Sequence, residues 1–418
     1  MVYRLLILSL AGLLAGCTVT PNNSNTASTT TAPSPAAAPS AAPVRESSAQ
    51  VVTLPLLDAL LTDEKFVEGL KSDVKLSDEE VESLKRVSNS EIARLREINA
   101  EDSDGDGTDA RARATEQLNK ALGEAKTREL VSFASDYWSK GDQSNGEDFE
   151  MLPGPNAVPT DTRVVVNIPA FRMDLFQDGS LVKSYQVGIG YPQFPLPQGL
   201  RKAQTVIFNP TWTPPDSPWV ASIKNVTPGE TVPAGDKDNP LGPIKIPIGS
   251  PSLIHGGKSP AKIGKFASHG CVGMTNTQIK DFAMLLSRAS ETDLSERTVA
   301  SYLGDKERTQ TVKLNETVPV ELRYETIVLE DGKLHIYKDV YAQNTNTEEN
   351  LRSVLDAHGA RLEDLSEQQR AEIVAALKDV KKETVIELNG LKGYPAPVNL
   401  DKGNTDKTDK RRMKSDRR

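Results

Sequence analysis

A mainly β central domain flanked by α-helical N- and C-terminal regions is the architecture this 418-residue sequence predicts. Three observations predict it. Apolar residues recur at helical spacing from about Leu54 to Lys140, and again after residue 346. From Asp161 the period shortens, and β-rich runs bracket Asp-Gly turns. Between those runs proline and glycine are dense, as in "FPLPQG" and "NPTWTPPDSPW", which forbids long helices and favours short strands with structured loops.

The length is enough for two or three domains, each burying its own core. The formal net charge of −8 is spread over many acidic and basic residues. A nucleic-acid partner calls for a concentrated basic patch, so no nucleic-acid role is expected.

Residues 1–17, "MVYRLLILSLAGLLAGC", carry one positive charge, an apolar run and small residues before a cysteine. This is an export signal, too short to span a membrane as a helix. Its ending, Leu14-Ala15-Gly16-Cys17, resembles the bacterial lipobox, which implies lipid on Cys17 and attachment to a membrane in the cell envelope. In a double-membrane bacterium Thr18, in place of Asp, resembles an outer-membrane sorting signal. Residues 18–50 are rich in Ser, Thr, Ala and Pro and read as a disordered tether.

Residues 51–150 form the helical region. "LSDEEVESLKRV" opens on Ser77 with Glu80 three residues on, a capping box, and Val81, Leu84, Val87, Ile92, Leu95 and Ile98 follow at helical spacing. "DSDGDG", Asp102 to Gly107, has the opening spacing of an EF-hand, but Arg113 stands where a bidentate Glu belongs. A solvated acidic turn is the better reading.

Residues 160–345 form the β domain. "RVVVNIPAFRMDLF" and "LVKSYQVGIG" flank Asp178-Gly179, a hairpin signal, and Asp331-Gly332 marks another. "TNTQIKDFAMLLSRAS" is a short helix with Ile279, Phe282, Leu285 and Leu286 on one side. Residues 346–395 carry two further helices, the second capped by Ser366 and Gln369. Residues 396–418 read as a basic disordered tail; its last 17 residues hold eight Lys/Arg against three Asp.

The chain has only four histidines and two cysteines. With Cys17 lipidated, Cys271 is an exported thiol without a disulfide partner, a liability unless its reactivity is used. It lies in "SHGCVGM", with His255 upstream in "IHGG". Zinc could take His255, His269 and Cys271, but the His-Gly-Cys spacing is tight and no further cysteine or His-Glu-x-x-His supplies a firm ligand. A nucleophile needs a base to make the thiolate and donors for the oxyanion. His255 is a candidate base, and a tight turn through His269, Gly270 and Cys271 could offer backbone N–H groups. A carbonyl beside His255, in the Gly256–Gly257 stretch, could fix the imidazole tautomer. His335 and His358 have no such neighbours.

"IHGGKSPAKIGKFASHGCVGMTN" resembles the signature of the L,D-transpeptidase (YkuD-type) family, a His-Gly followed by Ser/Thr-His-Gly-Cys, with twelve residues between His255 and Ser268. The resemblance extends over roughly Thr162 to Tyr341. It implies a β-sandwich with a short helix after the nucleophile, Cys271 as nucleophile, His255 as proton acceptor and donor, and the Gly256 carbonyl as orienting group. It implies an oxyanion environment from His269, Gly270 and Cys271, with the His269 side chain structural.

Ser268, Tyr191, Trp212, Gly273 and Asn276 are candidates for the substrate groove. The implied substrate is a peptidoglycan stem peptide, cut between diaminopimelate and D-Ala and passed to an amine to make a 3–3 cross-link, with no cofactor and no metal. Water as acceptor would make a carboxypeptidase, a protein amine would attach a protein to the wall, and loss of activity would leave a wall-binding lipoprotein. One departure stands out: family members commonly carry Arg two residues after the nucleophile, where this chain has Gly273.

Overall fold

The computed structural model describes residues 51–98, 107–140, 149–215, 220, 223–249, 251–380, 383–388 and 390–403. The export signal, Cys17, the tether, Asp102 to Asp106 and the tail beyond Gly403 lie outside the described residues.

The N-terminal region is helical: α1 (Leu54–Leu60), α2 (Glu64–Ser72), α3 (Asp78–Glu97), α4 (Gly107–Leu122) and α5 (Glu124–Lys140). Ser77 and Glu80 form the reciprocal capping box at the start of α3. Of the stripe behind it, Val81, Leu84, Ile92 and Leu95 are buried, whereas Ile98 is 55% exposed where the helix ends. Phe66, Leu70, Leu118, Leu130 and Trp138 complete this core. The chain is already helical from Gly107, and Arg113 closes a two-bond fork on Glu91 at 2.7 and 2.9 Å. The twelfth position of the EF-hand-like stretch is therefore engaged by a carboxylate of α3.

The central domain runs through β1 (Arg163–Asn167), β2 (Arg172–Gln177), β3 (Ser180–Gln186), β4 (Ile189–Gly190), β5 (Gly199–Phe208), β6 (Ile244–Pro247), β7 (Leu253–His255), β8 (Phe266–Ser268), β9 (Val272–Gly273), α6 (Asn276–Ala289), α7 (Glu296–Gly304) and β10 (Gln310–Arg323). Eight strands make one mixed sheet in the order β3-β2-β1-β10-β5-β6-β7-β9, while β4 and β8 pair parallel as a separate ribbon. The long β10 pairs with β1 along one edge and β5 along the other, with a register irregularity against β5 between Lys313 and Val318. Asp178 and Gly179 both have positive φ and join β2 to β3 in a two-residue turn. The α6 helix starts on a Thr275–Gln278 capping box and buries Ile279, Phe282 and Leu286 against the sheet.

Beneath β1 and β10 lies a charge cluster the sequence did not announce. Arg163 and Arg323 both pair with Glu321, which is fully buried. Burying such charges is costly unless they are paired, and here each arginine has a carboxylate partner.

The C-terminal helices do not stand alone. Strands β11 (Ile327–Glu330), β12 (Lys333–Tyr337) and β13 (Glu383–Glu387) form a second sheet, and α8 (Glu348–Ala357) and α9 (Glu367–Lys378) bury Leu351, Leu355 and Ile373 against it. Only Ile386 of β13 is buried, so its sequence gives little strand signal. Ser366 and Gln369 cap α9 as expected. Residues 396–403, read as the start of a disordered tail, instead run along β3. Ser184 and Gln186 donate backbone N–H bonds to Val398 and Asp401, and Asp401 donates back to Ser184. The edge of β3 offers unpaired backbone groups, and this segment satisfies them.

Helical region and sheet are packed together. Arg201 of β5 is buried against Trp138, donating to its backbone carbonyl with the guanidinium 5.4 Å from the indole. Thr53, the cap of α1, donates to the carbonyl of Gln193 in the loop after β4.

Candidate active site

The residues singled out in the sequence converge where β7 and β9 lie side by side. These strands are parallel, with Ile254 opposite Val272 and His255 opposite Gly273. Ile254 and Val272 enter the core, so His255 and position 273 share the other face. Cys271 immediately precedes β9, and its thiol takes a backbone bond at Leu253 of β7. Met274 N–H donates to the His255 carbonyl and Lys258 N–H to the Met274 carbonyl, extending the pairing past the strand ends.

Cys271 follows a turn fixed by one side chain. Ser268, buried at the end of β8, accepts a bond from the Cys271 N–H at 3.0 Å and donates to the Cys271 carbonyl. Gly270 stands at φ 96°, a backbone region that a side chain would strain. Its carbonyl accepts from the buried Ser252 hydroxyl at 2.9 Å. The Cys271 N–H, expected among the oxyanion donors, is thus engaged by Ser268, whereas the Gly270 N–H has no acceptor among the described residues. Ser268 is accordingly a brace of the turn.

The imidazole of His255 is buried, with Nδ1 2.7 Å from the carbonyl of Gly256. A carbonyl can only accept, so Nδ1 carries the proton and Nε2 keeps its lone pair. Burial, reinforced by Lys258, pulls the pKa of His255 down to about 3, although the carbonyls of Gly256 and Leu241 favour the charged form. The ring is neutral at physiological pH. The Cys271 thiol, half-buried, is pushed above its ordinary range by burial, against a backbone bond at Leu253 and the charge of Lys258. No hydrogen bond joins Cys271 to His255, as is common before substrate binds.

His269 turns away from this pair. Its ring packs edge-on to Phe194 at 4.4 Å and Tyr191 at 5.6 Å, and burial, with Lys258, lowers its pKa to about 3. Tyr191 is itself buried, its hydroxyl accepting from Lys262 at 3.1 Å, so it backs His269 from within the fold. Exposed Asn276 accepts the Gly257 N–H at 2.8 Å, clamping the loop that carries Gly256. Half-exposed Trp212 pairs its backbone with Val232 in the long loop after β5.

Two lysines flank the face without having been singled out. Lys245 lies directly opposite His255 in the β6–β7 register. The stem of Lys258 crosses Gly273: a Cβ built there would lie 2.8 Å from both Cγ and Cε of Lys258. The available signal was a lysine three residues past the histidine, together with a glycine two past the cysteine. Among the described residues no group of three or more His, Cys, Asp or Glu could hold a metal ion. His335 bonds Glu383 at 2.8 Å in the second sheet, and His358 ends α8.

Residues 161–307 match the family model of the YkuD L,D-transpeptidase catalytic domain. A probable L,D-transpeptidase ErfK/SrfK of Escherichia coli (strain K12) is 32% identical over 122 residues, 28% of this chain; the chain spans 38% of that relative's length. Among solved structures, the catalytic domain of an L,D-transpeptidase from E. faecium aligns at 16% identity and a TM-score of 0.26, covering 40% of this chain and all of that one. An L,D-transpeptidase from Mycobacterium smegmatis aligns at 15% identity and a TM-score of 0.24, covering 39% of this chain and 58% of that one.

Proposed function

With residues 161–307 an L,D-transpeptidase catalytic domain of the YkuD type, we propose that this protein is a cysteine acyltransferase that cross-links peptidoglycan stem peptides through Cys271. The observation that carries the reading is the bond from His255 Nδ1 to the Gly256 carbonyl, which leaves Nε2 basic on a strand paired with the one that Cys271 leads into.

The thiol proton passes to His255 Nε2 as Sγ attacks the amide carbonyl between diaminopimelate and the terminal D-Ala. The Gly270 N–H faces no competing acceptor and donates to the oxyanion that forms. Collapse breaks the C–N bond, His255 returns the proton to the departing amine, and D-Ala leaves a thioester on Cys271. An amine of a neighbouring stem then attacks the thioester. Its proton passes by way of His255 to the sulfur, which departs as the thiol.

Neutral imidazole and neutral thiol are the ground state that both pKa shifts favour. The proton therefore leaves the thiol as Sγ attacks, and the charge that develops passes to the oxyanion and the imidazolium of that step. We further propose that Cys17 is lipidated and that residues 18–50 tether the catalytic domain to an envelope membrane; radiolabelled palmitate incorporation lost in Cys17→Ala checks this.

Purified protein incubated with disaccharide-tetrapeptide tests the reaction by mass spectrometry. A dimer with loss of D-Ala is expected, and Cys271→Ala must abolish it. Monomeric tripeptide alone means that water is the acceptor. Neither product, together with no carbapenem adduct at Cys271, would sink the enzyme reading in favour of a wall-binding lipoprotein.

A further inference from the structure

The strand pairing that joins His255 to Gly273 also decides what else faces the thiol. His255 and position 273 share one face, two residues on from Cys271, and at 273 there is no side chain to occupy it. That space is filled from the loop after β7. Lys258 is anchored by its backbone to Met274, and its stem folds back over Gly273 with Cγ and Cε each 2.8 Å from where a Cβ would stand and Cδ 3.3 Å from it. One bond beyond Cε is the ammonium, so a positive charge is delivered beside nucleophile and base.

We propose that Lys258 is a specificity-determining residue, its ammonium pairing with the free carboxylate of the terminal residue on the donor peptide. The proposal rests on the transpeptidase reading given above. Bond lengths supply its geometric basis. The carboxyl carbon of the leaving residue is three bonds from the attacked carbonyl carbon, hence within about 4 Å of it. A carbonyl in reach of Sγ therefore brings that carboxylate to the same face as Lys258. An ammonium placed there recognises a donor ending one residue past the scissile bond, and a donor extended by another residue carries its charge too far away. Such charge-assisted bonds discriminate strongly, because the wrong donor offers no carboxylate within reach of the ammonium.

The field around the site is consistent with an anionic substrate. Lys258 acts on Cys271, His255 and His269 alike, and Lys245 acts on His255 from the opposite strand.

The test compares two donors, disaccharide-tetrapeptide ending in a carboxylate and the same peptide ending in a carboxamide, on wild type, Lys258→Met and Lys258→Arg. Acyl-enzyme at Cys271 is followed by intact mass, and its concentration dependence separates KM from the acylation rate. Wild type is expected to prefer the carboxylate donor about ten-fold or more, mainly in KM. Lys258→Met removes that preference by losing the carboxylate donor alone, and Lys258→Arg restores most of it. An unchanged melting temperature shows that the variant is folded; alkylation of Cys271 by neutral iodoacetamide near pH 7 slows in Lys258→Met, since Lys258 draws the thiol pKa down. Equal losses on both donors in Lys258→Met, or an unchanged preference, overturn the proposal while leaving the transpeptidase reading standing. Wild type that acylates with neither donor overturns both.

Discussion

Gly273 and Lys258 compete for one volume. The glycine has no side chain, and the lysine stem lies 2.8 Å from where one would begin. Gly273→Ala must push the stem aside, and because the obstacle is a flexible side chain the stability cost is modest, about 1 kcal/mol. The catalytic effect is expected to exceed it. Acylation by a carboxylate-terminated donor should fall several-fold in the alanine variant while its melting temperature moves by only a few degrees. Unchanged acylation would show that the position of Lys258 does not matter.

Alkylation kinetics should reveal the resting protonation state. Cys271 is pushed above the ordinary thiol range and His255 is pulled down to about 3, so the free site is not a thiolate–imidazolium pair. Iodoacetamide labelling of Cys271 should therefore keep climbing with pH through the alkaline range. A rate plateau between pH 5 and 7 would mean that an ion pair preforms, and the neutral ground state would be wrong.

The same burial makes the protein acid-sensitive. His255 and His269 titrate near 3 when folded and near their ordinary 6.5 when unfolded. Between these values the unfolded chain binds protons that the folded one refuses, so stability is complete above about pH 6.5 and falls as the pH drops toward 3. Each histidine contributes up to a few kcal/mol over that window, at about 1.4 kcal/mol per pH unit. Urea titrations should show the midpoint dropping from pH 7 to pH 4, and His269→Phe should make that drop smaller.

What the sequence made legible follows from how local each signal was. The capping boxes of Ser77 and Ser366 and the Asp178-Gly179 turn depend on residues a few positions apart, and each has its expected geometry. The Cys271–His255 pair was legible because a long motif carries both ends. The roles of Ser268, Asn276 and Tyr191 were not, since groove lining and loop bracing use the same polar and aromatic residues. Lys258 was invisible for a different reason: its significance depends on a glycine 15 residues away, brought opposite by parallel pairing. The ordered segment at 396–403 was hidden by its polar composition. What holds it is backbone bonding to β3, which no side-chain pattern reports.

Ser268 offers a test of the turn. Its hydroxyl bridges the N–H and carbonyl of Cys271 from a buried position, so Ser268→Ala removes both bonds and leaves two partly buried backbone groups to find other partners. A loss of about 1–3 kcal/mol in stability is expected. The freed Cys271 N–H also changes the donors around the oxyanion. Ser268→Thr retains the hydroxyl, and acylation in that variant should stay much closer to wild type. Equal damage from both substitutions would place the effect in packing and not in the hydrogen bonds.

Arg201 tests how the helical region is held to the sheet. Its side chain is buried against Trp138 with one backbone acceptor, and Nε and Nη1 have no hydrogen-bond partner among the described residues. Burial lowers its pKa to about 10, which marks the cost of keeping the charge there. The stem packs well while the charge is poorly compensated, so the two contributions can be separated. Arg201→Met retains the stem and drops the charge, and is expected to be neutral or to stabilise by about 1–3 kcal/mol. Arg201→Ala also removes the packing and should cost about 2–5 kcal/mol. If methionine proves as damaging as alanine in denaturant titrations, the bond to the Trp138 carbonyl and the stacking on its ring outweigh desolvation, and the charge itself anchors the helical region to β5.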